Sequence, residues 1–96
     1  MKTSDVLDVA VVGTGYVGLV TGVCLAHVGH KVTCVDIDAD KVARMRRGEV
    51  PIYEPGLEPL FREVLEAGTV EITTDLKAAV AAADLVFLAL PTPQGA

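Results

Sequence analysis

The chain has 96 residues, of which 51% are hydrophobic, and a formal net charge of −5. A chain of this length is expected to form one domain, and its acidic balance disfavours nucleic acid and anionic membranes as partners. No apolar stretch reaches the roughly 18 residues that a transmembrane helix needs, and residues 1–5 do not resemble a signal peptide. These features predict a cytoplasmic protein without a membrane partner. The high apolar content suits parallel strands that are buried on both faces.

The first element of the chain is an apolar, β-branched run over residues 7–12, which predicts a strand. It leads directly into a Gly-x-Gly-x-x-Gly turn made by Gly13, Gly15 and Gly18. A helix is predicted to follow over residues 16–28, because Gly29 provides a stop signal. One face of this helix carries only small residues, namely Gly18, Gly22 and Ala26. Such a face allows a helix to lie close against a sheet.

The rest of the chain continues to alternate between strands and helices. Apolar or alternating runs predict further strands at 31–36, 69–73 and 85–90, and helical spacing predicts helices at 39–47, 57–67 and 76–82. Right-handed crossovers then give an α/β, Rossmann-type parallel sheet with strand order 3-2-1-4 and helices on both faces. The alanine-rich fourth helix is expected on the face opposite the others. A ligand is expected where the strand order reverses, at the carboxyl ends of strands 1 and 4.

The second strand ends in Asp36, 18 residues after Gly18. In this order of elements, the glycine turn lets the backbone approach a pyrophosphate, the helix N-terminus supplies N–H groups, and the acid accepts ribose hydroxyls. The pattern therefore predicts a dinucleotide site. Because a carboxylate repels a 2′-phosphate and no arginine follows at positions 37 or 38, NAD is predicted over NADP. Asp38 is a second candidate for the ribose and also the predicted N-cap of the second helix.

Two further residues are candidates for contact with the cofactor. Lys41 lies one turn into the second helix, where it either approaches the adenosine or stays in solvent. Thr92, between two prolines after the fourth strand, is predicted to contact the pyrophosphate or the nicotinamide half, and an ordinary loop threonine is the alternative. A basic cluster in the second helix consists of Lys41, Arg44, Arg46 and Arg47. We interpret it as a solvated helix face, with contact to an anionic cofactor as the alternative.

The remaining reactive side chains do not form a catalytic or metal site. Cys24 and Cys34 lie among apolar neighbours and are both expected to be small buried residues in a reducing compartment. His27 and His30 flank a helix-ending glycine and lack metal-ligand spacing to a cysteine or carboxylate. There is no nucleophile–base pair and no lysine or acid placed for proton transfer. No catalytic residue and no metal ligand is therefore predicted.

Four segments resemble a known family: residues 11–20, 35–41, 51–57 and 83–93. Among them, Gly-Tyr-Val-Gly at 15–18 and Tyr-Glu-Pro-Gly-Leu at 53–57 are far more specific than the glycine fingerprint alone. The chain resembles the N-terminal NAD-binding segment of the UDP-glucose/GDP-mannose dehydrogenase family, and in particular its UDP-glucose 6-dehydrogenases. The likeness covers nearly all of the chain after Asp8, but it does not separate the members of the family by their sugar nucleotide.

The resemblance implies two successive NAD-linked oxidations of a nucleotide sugar, from the C6 alcohol to the carboxylate, with a cysteine that captures the aldehyde. The acidic sugar formed would serve polysaccharide biosynthesis. It also implies roles for residues of this chain: Gly13, Gly15, Tyr16, Val17 and Gly18 at the pyrophosphate, Asp36 at the ribose, Lys41 beside the adenosine, and Thr92 near the cofactor. Gln94 stands where some relatives have a second threonine, so a hydroxyl contact is not expected there.

The family's catalytic cysteine, lysine and asparagine and its substrate-binding domain have no counterpart in the chain. Residues 1–96 are therefore expected to be an incomplete NAD-binding domain, truncated after the fourth strand and inactive alone, whose nucleotide-sugar substrate needs the missing domain. A non-catalytic module that senses NAD or ADP is the alternative, although the loop at 53–56 argues against it. Because the apolar strand 85–90 would form a sheet edge, self-association is predicted.

Overall fold

The computed structural model describes residues 6–50 and 55–89. Its strands are β1 Asp8–Val12, β2 Lys31–Val35, β3 Val70–Thr73 and β4 Leu85–Leu88. Its helices are α1 Tyr16–His27, α2 Ala39–Arg46, α3 Leu57–Ala67 and α4 Leu76–Ala82. The strands form one parallel sheet in the order β3-β2-β1-β4. The predicted α/β fold and strand order are confirmed.

The two faces of the sheet carry cores of different size. Val9 and Val11 of β1 belong to the larger cluster, which also contains buried residues of α1, α2 and α3. On the other face, Ala10 and Val35 pack against Ala79 of α4 in a much smaller cluster. Side chains alternate between the faces of a strand, so neighbouring residues of β1 serve different cores. The alanine-rich helix thus lies opposite the other three, as predicted.

Helix α1 approaches the sheet closely along a row of small residues. Gly18, Gly22 and Ala26 are buried along that face. A Cβ built on Gly22 would lie 3.1 Å from the Cys34 sulfur, a separation tighter than most contacts in proteins. The small-residue face predicted from the sequence is therefore the contact between α1 and the sheet, and it brings the N-terminus of α1 against the end of β1.

The expectation that strands are buried on both faces is confirmed for β1 and wrong for β4. Beyond Asp8, all of β1 is buried. All four residues of β4 are exposed, and Leu88 is 73% exposed. The reason is the strand order, since β4 is the edge next to β1 and α4 covers little beyond Ala10 and Val35. The predicted apolar edge is present.

The two cysteines differ in burial, so the expectation that both are buried is wrong for Cys24. Cys34 is buried under α1, and burial raises the pKa of its thiol to about 12. Cys24 is exposed because it lies on the side of α1 opposite to Gly22. His27 is the last residue of α1, and His30 follows it, where its Nδ1 accepts a hydrogen bond of 3.1 Å from the Leu7 amide.

The described residues contain neither a membrane-spanning helix nor a metal-binding cluster. Across 6–50 and 55–89, none of the helices combines the length and the apolar character needed to cross a bilayer. In the same two ranges, no group of three or more histidine, cysteine, aspartate or glutamate side chains is arranged to hold a metal ion.

Candidate dinucleotide-binding site

The turn after β1 is shaped by Gly13, whose φ is +103°. L-residues with side chains rarely adopt this conformation, so a glycine is required there. The Gly13 amide donates a 2.8 Å hydrogen bond to the Val35 carbonyl at the end of β2. The turn is thereby fixed at the carboxyl ends of β1 and β2. The sequence predicts the ligand at the ends of strands 1 and 4, and that placement stays a prediction.

The other two glycines of the turn determine how close a ligand can approach. A Cβ on Gly18 would lie 2.3 Å from the Gly13 carbonyl oxygen and 2.8 Å from the Ala89 Cβ, so only glycine fits between α1 and the turn. Around Gly15, the N-cap of α1, a Cβ would meet no atom within 4 Å. Open space therefore lies directly in front of the helix N-terminus.

The first turn of α1 offers backbone donors to that open space. Gly15 has no side chain that could cap the helix, and the first intrahelical bond runs from the Leu19 amide to the Gly15 carbonyl at 2.9 Å. The N–H groups before Leu19 have no intrahelical acceptor, and the helix dipole adds positive potential there. Tyr16 and Val17 project into solvent beside these groups. An anionic pyrophosphate fits this arrangement.

Asp36, one residue past β2, lies beside the turn and is held by three donors. The Asp38 amide donates to its Oδ1 at 2.9 Å. Its Oδ2 accepts a hydrogen bond from the Thr14 hydroxyl. The same oxygen forms an ion pair with the Lys41 ammonium at 3.3 Å. The carboxylate is therefore fixed within reach of the glycine turn, as a ribose-binding acid must be.

The surroundings of Asp36 keep it ionised. Burial, the largest effect, would raise the pKa of the carboxyl. Hydrogen bonds from Thr14, Asp38 and Lys41, together with the positive charge of Lys41, act in the opposite direction, and the net pKa lies below its usual range. At neutral pH the Asp36 carboxyl is thus ionised, so its oxygens can accept hydroxyl hydrogens and disfavour a phosphate.

An apolar cleft lies next to Asp36, between the ends of β1 and β2 and the start of α4. Its volume is about 120 Å³, and its lining includes Val12, Ile37 and Leu76. Ile37 is 92% exposed, which is unusual for an isoleucine, and Leu76 is also exposed. A flat, largely apolar group such as a purine base fits such a cleft, and it would cover both side chains.

Asp38, the second candidate for the ribose, forms the N-cap of α2. Its carboxylate accepts hydrogen bonds from the amides of Asp40 at 3.0 Å and Lys41 at 3.1 Å, so it caps α2 as predicted. The cap sets the position of α2 and brings the Lys41 side chain back to Asp36. The Lys41 side chain thus contacts Asp36, and its approach to the adenosine stays a prediction.

Two of the other basic residues make contacts away from Asp36. Arg46 donates from Nε to the Ile72 carbonyl at 2.8 Å and so connects α2 to β3. Arg47 forms an exposed ion pair with Glu49 at 3.5 Å. Arg44 is exposed in the last turn of α2, where a cation complements the helix dipole. Arg47 thus fits the solvated-face interpretation, and Arg46 has a structural role that the sequence did not indicate. For Arg44, both the solvated face and contact with an anionic cofactor stay predictions.

Sequence reasoning missed three residues of the site and named one that lies outside the described residues. Thr14, Ile37 and Leu76 were not predicted. An isoleucine directly after the ribose acid was an available signal for Ile37, but nothing in the sequence connects Thr14 with Asp36 or Leu76 with Ile37. Thr92 lies outside residues 6–50 and 55–89, as do Tyr53 and Glu54 of the specific loop.

Together, the open helix N-terminus, the ionised Asp36 and the apolar cleft define the chain as a dinucleotide-binding domain of the Rossmann type, and they fit the pyrophosphate, ribose and adenine of NAD. The comparison with known families agrees. Residues 7–96 match the NAD binding domain of the UDP-glucose/GDP-mannose dehydrogenase family, and the chain belongs to that family. NAD is its cofactor.

Individual relatives support this assignment. The chain is 51% identical over 88 residues to the UDP-glucose 6-dehydrogenase YwqF of Bacillus subtilis, and 51% identical over 89 residues to that of Pseudomonas aeruginosa. These matches cover 92% and 93% of the chain but 20% of each relative. The structure of a UDP-glucose dehydrogenase from Pyrobaculum islandicum superimposes with a TM-score of 0.89 at 37% identity, covering 100% of this chain and 23% of that one. The chain thus spans about a fifth of the length of the relatives it matches.

Proposed function

We propose that residues 1–96 provide the NAD-binding part of a UDP-glucose 6-dehydrogenase, which oxidises UDP-glucose to UDP-glucuronate in two NAD-linked steps. The observation that carries the proposal is the ionised Asp36 beside the open N-terminus of α1, held by Thr14, Asp38 and Lys41. The substrate is proposed from the relatives, since the two curated relatives described above, each 51% identical, are both named UDP-glucose 6-dehydrogenases.

The residues of this chain are proposed to bind and orient the cofactor. The α1 N-terminus receives the pyrophosphate, Asp36 accepts the hydroxyls of the adenosine ribose, and the cleft at Ile37 and Leu76 takes the adenine. Thr92 is proposed to contact the cofactor from the end of β4. Bound NAD⁺ supplies the hydride acceptor for the oxidation.

The chemical step is proposed to use groups outside residues 1–96. Cys34 is unsuited to a covalent aldehyde step because it is buried and its thiol pKa is raised to about 12. Cys24 lies about two helical turns from the site, on the outer face of α1. We therefore infer that residues 1–96 form an incomplete NAD-binding domain that is inactive alone, and that a further domain binds the nucleotide sugar. The free thiols favour a cytoplasmic location for the protein.

We also propose that the chain associates with further copies of itself through β4. Apolar side chains cover β4, and an edge strand of this kind is a template for pairing with another copy. Sedimentation at high micromolar concentration should show dimers or larger species. L88K should shift them to monomer, whereas the matched variant V28K, which places the same charge on the exposed end of α1, should not. A sharp monomer for the wild-type chain would contradict this proposal.

The activity is tested with the protein from the complete natural reading frame. UDP-glucose, GDP-mannose and UDP-N-acetylated hexosamines are offered in parallel with NAD⁺, and NADH formation is followed. About two NADH per UDP-glucose are expected, because the oxidation from alcohol to carboxylate removes four electrons. Turnover with another sugar nucleotide would correct the substrate. Binding of NAD without turnover of any sugar nucleotide would instead favour a non-catalytic sensor of NAD or ADP.

A further inference from the structure

Thr14 is the residue between the first two glycines of the turn. Its side chain points inward, whereas the side chains of Tyr16 and Val17 project into solvent. Thr14 is 1% exposed and is the buried polar residue of the described core. A buried hydroxyl needs a hydrogen-bond partner, and the Thr14 hydroxyl donates to Oδ2 of Asp36. A side chain of the pyrophosphate turn is thus joined to the ribose-binding acid, 22 residues away in sequence.

The three donors on Asp36 differ in how firmly they are held. The Asp38 amide belongs to the backbone at the start of α2, and the Thr14 hydroxyl is on a short, buried side chain. Lys41 reaches Oδ2 with a long flexible side chain that remains 26% exposed. An ionised carboxylate offers about four lone-pair positions. The two firm donors therefore fix its plane, and the free position on Oδ1 remains directed at the ribose hydroxyls.

Without the Thr14 hydroxyl, one firm donor would remain. The terminal torsion of an aspartate is broad, so the carboxylate would turn with its other partners, above all with Lys41. Its oxygens would then no longer be directed at a ribose diol in advance of binding. An apolar residue at position 14 would still allow the glycine turn, because Gly13 and Gly18 provide its special conformation and its close contact.

We propose that Thr14 is a positioning residue that orients the Asp36 carboxylate toward the hydroxyls of the adenosine ribose and so contributes to recognition of the ribose. Thr14 affects ribose binding only by holding the Asp36 carboxylate. This proposal rests on the NAD-binding function proposed above. The pyrophosphate turn and the ribose acid then act as one unit, since the residue that holds the acid lies within the turn.

The first test measures the state of Asp36 without any ligand. In T14V, which keeps the shape but removes the hydroxyl, NMR titration of the Asp36 carboxyl carbon should show a higher pKa than in the wild-type chain. T14S retains a hydroxyl and should restore the wild-type titration. T33V is the matched control, since it removes a hydroxyl from β2 on the other face of the sheet. T14A replaces T14V if valine prevents folding.

The second test measures recognition of the ribose with two probes, ADP and 2′-deoxy-ADP. The wild-type chain should prefer ADP, and T14V should reduce the affinity ratio by about threefold to tenfold while its affinity for 2′-deoxy-ADP changes little. T14S and T33V should keep the wild-type ratio. An unchanged ratio in a folded T14V would overturn the proposal. If the wild-type chain binds neither probe, the proposed NAD-binding function is wrong. An unchanged Asp36 titration in T14V would show separately that the Thr14 hydroxyl does not hold the Asp36 carboxylate.

Discussion

Gly15 and Gly18 lie in the same turn but are required for different reasons. Gly18 is needed for the fold, because α1 and the turn meet where its Cβ would be, 2.3 Å from the Gly13 carbonyl. We propose that Gly15 is needed for the ligand, because its Cβ would project into open space at the helix N-terminus, with no atom within 4 Å. Substitution by alanine can therefore separate stability from binding.

G18A should lower the free energy of unfolding by at least about 2 kcal/mol, because the clash is with backbone that cannot move aside cheaply. G15A should change it by less than about 0.5 kcal/mol, since the Gly15 backbone is in the extended region that alanine adopts. G15A should nevertheless weaken NAD binding, because its methyl group occupies the approach to the N–H groups. Urea denaturation and calorimetric titration measure the two effects. Equal destabilisation by both variants would contradict this division of roles.

Asp36 should make the stability of the chain depend on pH. Its pKa is lower in the folded chain than in the unfolded chain, so its contribution to stability is present above the unfolded pKa and is lost as the pH falls through the folded pKa. The free energy of unfolding should therefore fall on acidification, and D36N should reduce this dependence. Urea denaturation between neutral and acidic pH measures both slopes. Identical slopes would show that the contacts of Asp36 do not stabilise its charged form.

The two cysteines should differ in reactivity. Iodoacetamide at neutral pH should modify Cys24 in the folded chain and spare Cys34, which is buried and has a thiol pKa raised to about 12. Mass spectrometry counts the modified thiols, and both should react in urea. C24S should not be modified under native conditions. Rapid native labelling of C24S would mean that Cys34 is accessible.

At the scale of the elements, the sequence predicts the existence and type of each helix and strand, and α3 and α4 have the predicted bounds. The other ends differ by a residue or two. β1 begins at Asp8, the first residue in register with β2, and the Leu7 amide before it donates to His30. The side of α1 that holds Cys24 was also predictable, since it lies opposite to Gly22. The Thr14–Asp36 contact was not, because it depends on the tertiary fold.

Helix α2 depends on its N-cap, because it places Lys41 beside Asp36. Asp38 accepts hydrogen bonds from the amides of Asp40 and Lys41, so D38A should destabilise the chain by about 1 kcal/mol and D38N by much less. D38A should also weaken NAD binding through the displaced start of α2. The comparison variant is D38N, whose side-chain oxygen can still accept the hydrogen bonds from the Asp40 and Lys41 amides. Equal effects of D38A and D38N on NAD binding would contradict a role of the cap in placing α2. Thermal unfolding and calorimetric titration measure these effects.

At the scale of the whole molecule, the strand order could be predicted because alternating strands and helices with right-handed crossovers allow few arrangements. The distribution of apolar surface could be predicted only in part. Composition indicates strands buried on both faces, yet α4 covers little of its face and β4 is exposed. The carboxyl ends of β1 and β2 are the region where the turn, the acid and the cleft meet, so the site is a property of the assembled sheet.

We propose that this chain binds NAD through the glycine turn and selects it through Asp36. An NMR titration of the chain with NAD⁺ and NADP⁺ tests it most directly, with the amide resonances as reporters. We expect saturable shifts at Gly15, Asp36, Ile37 and Leu76 with NAD⁺, and affinity for NADP⁺ at least about tenfold weaker because its 2′-phosphate meets the Asp36 charge. Absence of saturable shifts with NAD⁺, or equal affinity for the two cofactors, would contradict the claim.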